Sequence, residues 1–150
     1  MPFTPARVLR ALDPDALVAG ARVALLANAT VAGLVGASVH PEVAPEGAPS
    51  PYIVLALASV VYESRYNDPA INALMDVSAY TTGWSTTTIR ALIPACLTAL
   101  IDTPWTATGL LLNAVTMEES GAGFRQVSAV TNGTMVRGRQ FTIRVHASKV

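Results

Sequence analysis

The chain has 150 residues, 51% of them hydrophobic and only 13% charged, with a formal net charge of zero. Ordinary soluble domains carry about 25% charged residues, so this chain has too few to cover a lone subunit with solvated groups. Zero net charge excludes a global attraction to nucleic acid and favours association.

At this length one domain spanning residues 1–150 is expected. Residues 1–12 read as a short N-terminal arm or partial helical turn. A helix follows, with Asp13 as N-cap, Pro14 at the first helical position and Asp15 favouring the positive end of the dipole. Leu17, Ala21, Ala24 and Leu25 form its apolar stripe, and Asn28 or Gly33 ends it. A second short turn packs Val31, Leu34 and Val35. The stretch HPEVAPEGAPSP from His40 is a proline-rich surface crossing, unsuited to a helix interior or a central strand.

The next stretch, SPYIVLALASVVYES, carries no charge between Ser50 and Glu63. A membrane span needs about 20 apolar residues, which this run does not reach. Its Val, Ile and Tyr content predicts a first strand over Tyr52–Tyr62, buried on both faces. The other apolar stretch, residues 16–36, contains Arg22 and follows Asp13 and Asp15, where a signal peptide would be basic, although Arg7 and Arg10 do precede it. Burial against other protein is therefore the explanation for the apolar excess.

Residues 63–74 read as a flexible connector with a turn at Asn67-Asp68-Pro69. ALMDVSAYTTG is the second strand. STTTIRALIPACLTALID is the second helix, with Pro94 expected to kink or restart it. GLLLNAVTME is the third strand, and residues 118–133 are a Gly-rich flexible connector with room for an extra ribbon around Asn132-Gly133. QFTIRVHAS closes the fold with clean alternation: Phe141, Ile143, Val145 and Ala147 inward, Thr142, Arg144, His146 and Ser148 outward. The expected fold is α+β: two helices on one face of a mostly antiparallel four-stranded sheet, with long loops or arms and a neighbouring subunit on the other face.

No motif for chemistry emerges. Cys96, the only cysteine, lies in an apolar setting and reads as a buried structural thiol. His40 and His146 lack Cys, Asp or Glu at ligand spacing and read as solvated or interface histidines. Glu118 and Glu119 are neighbours that a strand would point to opposite faces, so they would not converge for acid–base work. Asp76 is a lone strand carboxylate, expected on the solvent side. No catalytic residue, cofactor or metal is expected. From Ser120 onward the chain has Arg125, Arg137, Arg139, Arg144 and Lys149 and no acid. This is either a solvated basic edge or an interface patch. As oligomer or partner contacts the candidates are Arg125, Arg137, Arg139, Arg144, Glu118 and Glu119.

The order and spacing of these segments, from LLANATVAGLVGASVHPEVAPEGAPSPYIVLALAS through MDVSAYTTGWST, IRALIPACLTALID and GLLLNAVTMEES to RGRQFTIRVHA, resemble the tail terminator, or tail-completion, proteins of long-tailed bacteriophages. The resemblance covers roughly residues 14–147. It implies a small α+β subunit, not an enzyme, that forms a ring with itself, usually a hexamer. Such a ring caps the tail tube, stops its growth and meets the head connector or head-closure protein. It implies a place at the head-proximal end of the virion tail, assembly in the host cytoplasm, DNA passing through the ring without sequence-specific binding, and no membrane. Pro94 and the two long connectors depart from the pattern. Two other readings stay open: another neck or tail component, such as a head-closure or tube subunit, and a small ligand-binding or enzymatic domain with a pocket ringed by Arg139, Arg144 and His146.

Overall fold

A computed structural model describes residues 12–45, 50–65, 68–82, 87–118, 125–131 and 134–149. The chain begins with helix α1 (Asp15–Ala27). Asp13 starts it, accepting a hydrogen bond from the Asp15 N–H at 3.0 Å through its side chain. Asn28 then does two jobs. Its extended backbone stops α1, and its side chain accepts from the N–H groups of Thr30 and Val31, capping α2 (Ala29–Val35). The two helices meet at 92°, which lets α1 bury Leu17, Val18, Ala21 and Leu25 while α2 buries Val31 and Val35.

Six strands follow among the described residues: β1 (Val39–Pro41), β2 (Tyr52–Arg65), β3 (Asp68–Thr82), β4 (Leu110–Met117), β5 (Arg125–Thr131) and β6 (Thr134–Lys149). Between β3 and β4 lie α3 (Thr87–Leu97) and a π-helical turn (Thr98–Asp102). The sheet runs β1-β2-β3-β6-β4, with β5 also on β6. All pairs are antiparallel except β1 with β2. Strand β6 is flanked by β3 on one side. On the other it pairs with β4 over Ile143–Lys149 and with β5 over Thr134–Gln140.

The helices cover one face. Ile53 and Leu55 of β2, Ile71, Ala73, Met75, Val77 and Ala79 of β3, and Phe141, Ile143, Val145 and Ala147 of β6 form the floor of the core. Leu17, Leu25, Ile89, Leu92, Cys96 and Leu100 form its roof. The alternation expected for residues 141–148 is what positions this floor. Burial of Cys96 pushes its thiol pKa up to about 12.

The architecture is α+β, but richer than two helices on four antiparallel strands: the described residues form three helices and a mixed sheet. Part of the expected crossing from His40 is strand, because the Ser38 carbonyl accepts from Ile53 N–H and the Leu55 carbonyl from Glu42 N–H. Pro41 is tolerated there at a sheet edge. The expected connector 63–74 is instead strand through Arg65 and again from Asp68, as β2 and β3 form one long hairpin. The expected connector 118–133 contains β5, which pairs with β6 on either side of positions 132–133, where extra ribbon was expected. Pro94 was expected to kink or restart the helix; it does not restart it, since α3 runs through it. Pro94 and Arg90 are both exposed, so water can satisfy the carbonyl that the proline leaves free. Of the expected arm 1–12, only Leu12 lies within the described residues, and it is buried.

One glycine fixes how closely β3 and β6 approach. A Cβ on Gly138 would collide with the Ala79 carbonyl oxygen and lie 3.0 Å from Tyr80 Cα. Gly138→Ala must push the two strands apart and should cost about 1–3 kcal/mol. At this size, that is a fall of several degrees in melting temperature by calorimetry. An unchanged melting temperature would show that the strands can separate without loss.

Candidate assembly surface

No element among the described residues packs over the second face of the sheet. Its residues come from the other parity of the same strands. They form three small polar groups. Arg144 on β6 donates through Nε to Oε2 of Glu118, just past β4, at 3.0 Å, and its Nη2 reaches the same oxygen. Arg144 Nη1 also lies 3.4 Å from Asn72 Oδ1 on β3. Thr142 donates its hydroxyl to Asp76 Oδ1 at 2.6 Å, the two residues being direct partners across β3 and β6. His146 Nε2 lies 3.3 Å from Glu63 Oε2, while Asn113 Nδ2 lies 3.4 Å from His146 Nδ1 and donates to Ser148 Oγ at 3.2 Å. A neutral imidazole with its proton on Nε2 satisfies both contacts: it donates to Glu63 and accepts from Asn113.

Toward β1 the same face turns apolar. Tyr52 stacks on Tyr80 with ring centroids 5.2 Å apart, and the His40 ring lies 6.3 Å from that of Tyr52. His40 was expected in solvent or at an interface. Pairing of β1 with β2 instead buries its Nε2, which has no hydrogen-bond partner among the described residues. Burial, and secondarily the Arg22 guanidinium, lower the His40 pKa below its ordinary 6.5. Arg22 itself donates through Nε to the Val39 carbonyl at 2.9 Å.

The six candidate contact residues divide as follows. Glu118 and Arg144 come together as an ion pair. Arg137 is exposed and Arg139 half-buried, opposite Thr81 and Ala79 on β3. Arg125 lies on β5 opposite Gln140. Glu119 lies outside the described residues. Arg139 and Arg144 point to opposite faces of β6, so they do not ring one pocket with His146. Reading the strands singly missed Asn72, Asn113 and the Asp76–Thr142 and Glu63–His146 pairs. The signal was the polar alternation of β3 and β4, legible only once their register on β6 is known.

A groove of about 210 Å³ opens between the π-helical turn and β4, lined by Leu100, Ile101, Asp102, Trp105, Leu112 and Val115 among others. Trp105 is held by its Nε1–H on the Leu100 carbonyl at 2.9 Å. Among the described residues no group of three His, Cys, Asp or Glu side chains is placed to hold a metal ion, and no single helix is long and apolar enough to cross a membrane.

Helices on one side of a mixed sheet, with small polar clusters on the other, define a two-layer subunit whose notable surface is that open side. The chain belongs to the tail completion protein gp17 family, whose model matches residues 19–145. It is thus a structural component of the phage virion tail. Its fold is similar to that of a chain in the virion of a native gene transfer agent particle, with a TM-score of 0.71 and 22% identity over 89% of this chain and 96% of that one. No curated protein sequence matches it.

Two outcomes follow from the polar face. Thr142→Val removes the donor to Asp76 and should cost about 1.5–3 kcal/mol in urea unfolding, as for a hydrogen bond to a charged group. A cost near zero would mean that water replaces the hydroxyl. For His40 the folded pKa lies below the unfolded one. The unfolded chain then binds the proton more readily, so stability falls as pH drops through 6.5 and is fully present above it. His40→Gln should flatten that part of the stability–pH profile. An unaltered profile would assign the loss to other groups.

Proposed function

We infer that this protein is a ring-forming tail terminator: identical copies close side by side, cap the tail tube at its head-proximal end and stop its growth. The other side of the ring meets the head connector or head-closure protein. The observation that carries this reading is an open sheet whose second face and two edges no other described element covers, in a member of a tail completion family. Such a subunit is completed by neighbours, and closed cyclic symmetry limits the assembly to a ring, with six copies as the proposed number. Arg125, Arg137 and Arg139 lie toward the β5–β6 end of the sheet and suit an acidic partner surface. The Glu118–Arg144 pair, being matched internally, serves the subunit itself or a polar contact on the sheet face.

Native mass measured at several concentrations should give one closed oligomer, and phage lacking the protein should make tubes of uncontrolled length that fail to join heads. Tails of normal length joined normally to heads would end the terminator reading, and stacked rings growing into tubes would identify a tube subunit. Arg137→Glu with Arg139→Glu should leave the fold intact and weaken docking, with a smaller difference from the unaltered protein at raised salt. Unaltered docking at low salt would remove these arginines from the contact.

A further inference from the structure

Among the described residues, both edges of the sheet carry open hydrogen-bonding strands. On β2, the Ile53 N–H and the Leu55 carbonyl point toward β1 and bond there. Antiparallel strands alternate inward and outward residues, so Leu57 also faces out. The register shift between Leu57 and Ser59 moves the outward set to Val60 and Tyr62. Strand β1 ends at the partner of Leu55, so nothing among the described residues pairs with Leu57, Val60 or Tyr62 on this side. On β4, the Glu118 N–H bonds the Thr142 carbonyl, which makes Thr116 and Ala114 face β6 and leaves Val115 and Met117 facing out. Each free strand is interrupted by a register shift, at Leu57/Ser59 on β2 and Leu112/Ala114 on β4. Residues 56–62 of β2 and 110–117 of β4 nevertheless contain no charge and no proline, two of the usual guards against edge pairing.

We propose that β4 of one copy pairs antiparallel with the free part of β2 of the next, and that Tyr62 of that second copy fills the groove beside Trp105. The proposal rests on the ring reading and names its junction. Three observations support it. First, β2 and β4 run in opposite directions, since three antiparallel steps separate them. A rotation about an axis along the strands therefore continues the alternation from copy to copy. Second, Tyr62 is opposite Ile71, and Val115 and Leu112 are opposite Val145 and Ala147. Tyr62 and the groove thus lie on the same, helix-bearing side of the continued sheet. Third, a stable junction buries about 800 Å² on each partner, more than a short ladder supplies. Among the described residues, four of the five large exposed hydrophobics flank these two edges: Val43, Val61 and Tyr62 at one, Leu111 at the other. They provide the apolar surface that the ladder lacks.

Tyr62 is 44% exposed, so replacing it does not threaten the fold. Tyr62→Lys should keep the melting temperature and raise the concentration for half-assembly about tenfold or more, the equivalent of 1.4 kcal/mol per junction. A cysteine pair gives the direct test. Tyr62→Cys with Thr103→Cys in one chain, oxidised with diamide, should give a ladder of covalent oligomers ending at the ring. Each single variant alone should give none, since native Cys96 is buried. Mixed single variants should give dimers only, because the two edges differ. If Tyr62→Lys assembles like the unaltered protein and the double variant gives no cross-link, this junction is wrong while the ring stands. If the unaltered protein stays monomeric at every concentration, the ring reading itself falls.

Discussion

Strand β6 is paired along both edges for nearly its whole length, and the rest of the subunit depends on that. On one side it holds β3 from Val136 to Ser148; on the other it holds β4 and β5 end to end. The chain leaves the ladder near Thr142, where Glu118 N–H makes its bond, and returns at Gln140 opposite Arg125. Two separate segments thus behave as one interrupted strand. The 16 residues of β6 can serve both neighbours because Gly138 removes the one side chain that would hold β3 away.

The two faces of that strand divide the work. From Phe141 to Ala147 its inward residues are pure hydrocarbon and fully buried. Its outward residues meet polar partners on β3 and beyond β4. These polar contacts add little net stability where they are wet: Arg144 is 45% exposed, and such pairs contribute about 0–1 kcal/mol. Their larger effect is on register. A slip of one residue would turn Arg144 and His146 into the core and Phe141 and Ile143 out. The desolvation cost of an unpaired buried guanidinium makes that alternative inaccessible. The polar face therefore specifies the pairing that the apolar face stabilises.

What the sequence made legible follows the same division. Period-two alternation from Phe141 to Ser148 identifies both faces of β6 directly, and Asp13 and Asn28 mark helix ends by their side-chain chemistry. The β2–β3 hairpin was not legible, because Pro69 reads as a breaker. It is harmless where it stands: β6 pairs with β3 only from Ala70 onward, so no neighbour needs the missing N–H. Strand β1 was hidden for a like reason, its Pro41 lying on an edge. The polar pairs of the candidate surface lie far apart in the chain, Glu63 and His146 by 83 positions. Only register joins them, and register is a property of the whole sheet. Family membership, in contrast, was carried by the order of the elements, which survives a misread hairpin.

The uncharged run from Ser50 to Tyr62 now divides into two physical pieces. In its first half, Ile53 and Leu55 enter the core, while Tyr52 is buried on the other face against Tyr80 and His40. In its second half, beyond the bulge, Val61 and Tyr62 are exposed on an edge that no described strand pairs with. Folding of the single chain accounts for the first half only. An apolar, proline-free edge in water invites any strand that passes, and the proposed junction gives it an occupant. A dimer using one such edge on each copy leaves the other edges open, and an open chain of copies leaves two. Closure alone leaves none. The composition with which the chain first presents itself, rich in hydrocarbon and poor in charge, suits the closed assembly proposed above.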